Sequence, residues 1–111
     1  METVAPLFAP RFLFVELFKH KERIAAATGL ADEDLVEFLH VLLTRIKFVD
    51  EDAIPMGTWL EARRLCREID EKDTPFVALA LHLDAWLWTE DEVLKEGLRA
   101  RGFDRFHIPR P

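Results

Sequence analysis

The chain has 111 residues, half of them hydrophobic, with 15 basic and 21 acidic side chains and a formal net charge of −6. That length supports one domain with a modest core. The acidic balance excludes a protein coated in positive charge for nucleic acid, but not a local basic groove, because counter-ion release depends on the phosphates actually contacted.

The single cysteine, Cys66, makes no intrachain disulfide, and inside a helical pattern it reads as a buried, inert thiol. Met-Glu-Thr-Val lacks the basic start of a signal peptide, and Arg11 and Glu16 interrupt the apolar run that follows. No stretch approaches a membrane span. The expected setting is the cytoplasm.

In chain order, Val4–Ala9 is apolar and extended, reads as a first strand, and is stopped by Pro10. Arg11 to about Thr28 predicts one helix, with Phe12, Val15, Leu17, Phe18 and Ile24 weighted to one side and Gly29 as its stop. Asp32 is placed to cap a second helix, on which Leu35, Val36, Leu39, Leu42, Leu43 and Ile46 recur at three- and four-residue steps. Ile46–Val49 reads as a second strand and Gly57–Ile69 as a third helix. Thr74–Leu83 is a helix so apolar that most of its surface must be buried, and Pro75 fits its first turn. Ala85–Trp88 reads as a third strand, Glu90–Arg101 as an amphipathic helix ended by Gly102, and Arg105–Ile108 as a last edge strand. Strands alternating with helices predict an α/β fold, a parallel sheet flanked by helices, in a single domain over residues 1–111.

In such a sheet the starts of helices and the ends of parallel strands lie along one edge, where ligands bind. Asp73 starts an apolar helix and Asp91 follows an apolar strand, so the two carboxylates are predicted to converge. Two carboxylates are the minimum for holding a hard divalent ion such as Mg²⁺ or Mn²⁺. Each also has a plainer reading. Asp73 is suited to capping the Thr74–Leu83 helix, and Asp91 to a solvated first turn facing the helix dipole. Glu16, between Val15 and Leu17, must face a cleft, a partner or water, because burying it unpaired is expensive. Asp70 reads as solvated or as an outer-shell group.

The four histidines have no metal-ligand spacing. Trp59, Trp86 and Trp88 fit an apolar core better than a base-stacking surface. Arg99, Arg101, Arg105 and Arg110 read equally as phosphate contacts or as a solvated helix end. Arg11, Lys19, Lys21 and Arg23 read as a phosphate-facing rim or an ordinary wet face.

The pattern Asp73-x-x-Phe-Val-Ala78-x-Ala80, an apolar strand, then Thr89-x-Asp91 resembles the C-terminal half of a PIN-domain nuclease. Ala9-Pro10-Arg11-Phe-Leu-Phe-Val-Glu16-Leu is similar to that family's second strand running into the helix that carries another active-site acid. The resemblance implies a metal-dependent endoribonuclease of the toxin or RNA-processing type. Glu16, Asp73 and Asp91 would be its catalytic acids and Mg²⁺ or Mn²⁺ ligands, with Thr89 orienting the last acid or a metal-bound water. Single-stranded RNA is the implied substrate, with Arg11, Lys19, Arg99 and Arg101 as its weaker contacts and an antitoxin-like protein as a further partner.

PIN domains open with a strand ending in Asp-x-Asn, which supplies a fourth acid, and nothing before Val4 provides one. The expectation is therefore a PIN-like fold truncated at its N-terminus, active or an inactive remnant. The alternative is a catalytically dead protein- or RNA-binding module. Losing a central strand would leave the strands near Leu7–Ala9 and Ala85–Trp88 without a partner, which predicts a homodimer.

Overall fold

Two four-residue runs, Leu7–Pro10 (β1) and Ile46–Val49 (β2), pair in parallel, with Leu7 opposite Ile46 and Pro10 opposite Val49. The computed structural model describes residues 6–107 of the chain, so Val4 and Ala5 of the predicted first strand and Ile108 of the predicted last one lie outside it. The chain divides into two compact units, Met1–Val49 and Asp50–Pro111.

Parallel strands need a crossover. In the first unit it is made of three helices, Phe12–Lys19 (α1), Lys21–Thr28 (α2) and Asp32–Arg45 (α3). The predicted single helix over 11–28 is interrupted at His20, whose φ of −107° and ψ of 18° leave the helical region. Gly29 closes α2 at φ +71°, a left-handed value that glycine adopts without penalty. Asp32 does not cap α3. Ala31 holds the cap position, and Asp32, Glu33 and Asp34 instead fill the first turn, where their charges complement the helix dipole. Among the described residues few are buried here: Ala9 and Pro10 of β1, Leu35 and Leu39 of α3.

The second unit carries the larger apolar core. A 3₁₀ turn at Glu51–Ala53 leads into Met56–Cys66 (α4), and a second at Glu71–Asp73 leads into Thr74–Leu83 (α5). Glu92–Ala100 (α6) completes the helices. α4 packs against both α5 and α6. Val77 and Ala78 are fully buried on α5, as are Ala62 and Cys66 on α4 and Leu98 on α6. Full burial of an aliphatic side chain stabilises by about 1.5–3 kcal/mol, so this three-helix contact is the main source of order in the unit.

The predicted third and fourth strands are reduced to one parallel bridge, Leu87 opposite Phe106. The reason is local. Asp84 turns left-handed at the end of α5, and the Ala85 amide still bonds back to the Ala80 carbonyl at 2.9 Å. Only Leu87 then makes a bridge before α6 begins. Trp86 and Trp88 also correct the expectation of core tryptophans, since they are 66% and 55% exposed while Leu87 between them is buried.

α4 also ends earlier than predicted, at Cys66 instead of Ile69. Arg67 turns extended and Glu68 takes φ +68°. The open carbonyls of this end are met from 34 to 37 residues away. The Arg101 guanidinium donates to the carbonyls of Arg64 at 3.0 Å and Leu65 at 3.1 Å, and also to that of Arg67. Helix C-termini leave such carbonyls unsatisfied, and a cationic donor there is favourable. Arg101→Ala is therefore expected to lower stability by about 1–2 kcal/mol, read as a lower urea midpoint with an unchanged slope. An unmoved midpoint would show that water serves these carbonyls as well.

Candidate metal centre

Three acids of the second unit meet at the junction of these turns. Asp70, Asp73 and Asp91 each offer a carboxylate oxygen, and the three oxygens lie within 4.8 Å of one another. Asp70 and Asp73 are three residues apart across the 3₁₀ turn Glu71–Asp73. That helix has three residues per turn, so side chains at this spacing stand one above the other. The early end of α4 sets up the turn, and Ile69 fixes it against α6. A Cβ built on Gly97 would sit 2.4 Å from Ile69 Cδ1, 2.9 Å from Cγ1 and 3.2 Å from Cγ2. Only glycine allows α6 this close, and α6 carries Asp91 at its start.

The plainer roles of the three acids fall out unevenly. Asp91 does cap its helix: its Oδ1 accepts from the Leu94 amide at 3.1 Å. Asp70 Oδ1 likewise accepts from the Lys72 amide at 3.1 Å. Asp73 holds the cap position of α5 but makes no capping bond, because its backbone (φ −88°, ψ 0°) continues the preceding turn. The acid best suited to capping by sequence is thus the one whose carboxylate is left to the cluster. Thr89 Oγ1 accepts from the Asp91 amide at 3.1 Å, which fixes the backbone from which Asp91 projects.

Crowding shows in the electrostatics. Burial pushes the Asp73 carboxyl from 3.8 up to about 6; the charge of Asp70, a hydrogen bond with Asp70 and the charge of Asp91 add to the rise, against Lys72. Among the described residues none of the three acids forms a salt bridge with a basic side chain. Asp70 and Asp73 are half-buried and Asp91 is exposed, and a cation joining the three would relieve their mutual repulsion. Hard oxygen donors in this number suit Mg²⁺, Mn²⁺ or Ca²⁺ and not a soft metal.

Cys66 lies nearby and is inert. Burial pushes its thiol up, a hydrogen bond with Thr74 opposes this, and the charges of Asp73 and Asp70 add to it.

The other predicted site residues are placed as follows. Glu16 belongs to the first unit, on α1, with its Oε2 3.3 Å from His20 Nε2. Arg11 precedes α1 and Lys19 ends it, both exposed. Arg99 pairs with Asp104 at 3.1 Å and lies 5.1 Å from the Phe106 ring centre. Arg101 is committed to the end of α4. Asp70 is the member that its sequence context hides. Its only signal is the three-residue spacing to Asp73, which brings the two together once the segment is known to be a 3₁₀ turn.

An acid whose folded pKa is raised destabilises the fold once it ionises. The native state then binds more protons than the unfolded chain between about 3.8 and 6, and stability falls as pH rises through that window. In metal-free protein, Asp73→Asn should melt within about a degree of wild type at pH 4 and roughly 3–6 °C above it at pH 7. Equal melting of the two at pH 7 would show that Asp73 feels no such crowding.

The sequence matches the family model for the PIN domain over residues 1–110, a span that covers both units and every acid named above. Neither the curated proteins nor the solved structures compared with the chain gave a match. The mixed α/β architecture with its parallel strand pair agrees with that family's fold. Among the described residues no helix is long and apolar enough to cross a membrane. The match spans nearly the whole chain, and on it the chain belongs to the PIN domain family.

Proposed function

We propose that this PIN domain is a metal-dependent endoribonuclease that cleaves single-stranded RNA. The observation that carries the reading is the cluster of Asp70, Asp73 and Asp91 in a chain of this nuclease-like family. Asp73 and Asp91 act as ligands of Mg²⁺ or Mn²⁺, Asp70 joins them, and Glu16 is assigned the remaining acidic role in the family's pattern. When bound, the cation supplies an activated water and neutralises charge on the scissile phosphate.

The protein's own groups do the rest. Asp73, half-buried and free of capping, offers its carboxylate to the cation. Asp91 offers one carboxylate oxygen to the cluster, and its Oδ1 is held by the Leu94 amide. Thr89 acts as a positioning residue through the Asp91 amide. Asp70 raises the local negative potential that recruits the ion and hydrogen-bonds with the Asp73 side chain.

Calorimetric titration with Mn²⁺ should show binding by wild type and none by the Asp73→Ala, Asp91→Ala double variant. Wild type should also cut unstructured RNA in Mn²⁺. Heat equal to that of the double variant would remove the metal site. Binding without any cleavage would make the chain a non-catalytic RNA- or protein-binding module.

We also propose that the chain acts as a homodimer. The β1–β2 pair is only four residues long, and among the described residues no third strand joins it. Parallel sheets are ordinarily covered on both faces, and open edges are templates for pairing with another chain. Leu7 and Phe8 of β1 are 38% and 42% exposed. Light scattering should give twice the 12.9 kDa chain mass at micromolar concentration; a monodisperse species at that single mass would rule the dimer out.

A further inference from the structure

The face opposite the Leu87–Phe106 bridge carries a second arrangement that the metal site does not use. The Leu87 amide donates to the Arg105 carbonyl and the His107 amide to the Leu87 carbonyl, each at 2.8 Å. In a parallel pair, facing residues share a side and their neighbours project to the other. Leu87 and Phe106 go inward. Trp86 and Trp88 therefore stand outward beside Arg105 and His107. The rings confirm this register, because Trp88 lies 4.8 Å from His107 between centroids, tilted by 46°.

Two indoles more than half exposed need a reason, since a large exposed apolar group is the informative kind of exception. Their surroundings suit a polar planar partner. The neighbours on this face are Arg105, held by Asp84, and the exposed imidazole of His107. Aromatic rings interleaved with basic groups are the means by which proteins hold single strands without reading their sequence.

Position gives the second argument. Trp88 is three residues from Asp91, so their Cα atoms are at most about 11 Å apart. That is about three stacked nucleotides at roughly 3.4 Å each. The same short run, Trp88-Thr89-Glu90-Asp91, thus joins the exposed rings to the acid cluster.

We propose that Trp86 and Trp88 form a stacking platform for unpaired bases of the RNA strand that enters the Asp70–Asp73–Asp91 site. The proposal rests on the nuclease reading for its choice of ligand. It makes the substrate class an unpaired segment whose bases are held by their faces, with little preference among the four.

Tryptophan fluorescence of the full chain in EDTA tests it without cleavage. The probes are a uridine decamer and an abasic ribose-phosphate chain of the same length. The decamer should quench emission and bind wild type roughly 5- to 100-fold more tightly than Trp88→Ala. Trp88→Phe should recover most of the loss, and the abasic chain should bind wild type as weakly as the decamer binds the Trp86→Ala, Trp88→Ala variant. Mn²⁺ affinity should be the same in all three proteins, which keeps this result separate from the metal site.

Equal binding of decamer and abasic chain would overturn the platform. So would a Trp86→Ala, Trp88→Ala variant that retains RNA affinity but becomes monomeric, because the rings would then serve a second copy. Quenching in EDTA with no cleavage in Mn²⁺ would uphold the platform and remove the nuclease.

Discussion

A helix as apolar as Thr74–Leu83 has to be covered around most of its circumference, and the second unit is arranged to do so. Val77, Ala78, Leu79 and Ala80 are buried in succession, which a helix lying on one neighbour would not permit. α4 packs against α5 and also against α6, so the three form one core. The small side chains of Ala62, Ala78 and Ala80 keep the helices close, and Gly97 lets α6 meet Ile69 where any Cβ would collide. Close packing of this kind transmits displacement instead of absorbing it. The starts of α5 and α6 are consequently fixed relative to each other, and with them Asp73 and Asp91.

The acids sit where this packing leaves the least freedom. Asp70 is presented by a turn whose preceding carbonyls are held by Arg101, and Asp91 by a helix start tied to Thr89 and Leu94. Asp73 is between them with no capping bond of its own. Burial and then the neighbouring charges of Asp70 and Asp91 raise the pKa of Asp73, so the metal-free cluster is the less comfortable state of the molecule. The scaffold supplies the rigidity that makes this crowding possible. A cation would relieve it, and the local stability spent on the arrangement is returned when one binds.

Legibility in the sequence followed how local the cause was. β2 and α5 have the predicted bounds, Ile46–Val49 and Thr74–Leu83, because runs dominated by β-branched, aromatic or apolar residues leave few alternatives. Asp73 and Asp91 were readable as converging acids, but their plainer roles were exchanged: Asp91 caps and Asp73 does not. The end of α4 was not readable. Arg67 and Glu68 are good helix formers, and the residue that satisfies the carbonyls of their turn is Arg101, far along the chain. Asp70 was hidden for the same reason, since its closeness to Asp73 depends on that turn. Trp86 and Trp88 looked like core by composition, yet strand alternation around Leu87 turns both outward.

Manganese anomalous scattering from a crystal of the wild-type chain soaked in Mn²⁺ tests the metal centre most directly. One strong peak is expected among Asp70, Asp73 and Asp91, with carboxylate oxygens of at least two of them at about 2.0–2.6 Å. No peak there, or an ion held by other side chains while these three acids stay apart from it, would contradict the metal centre.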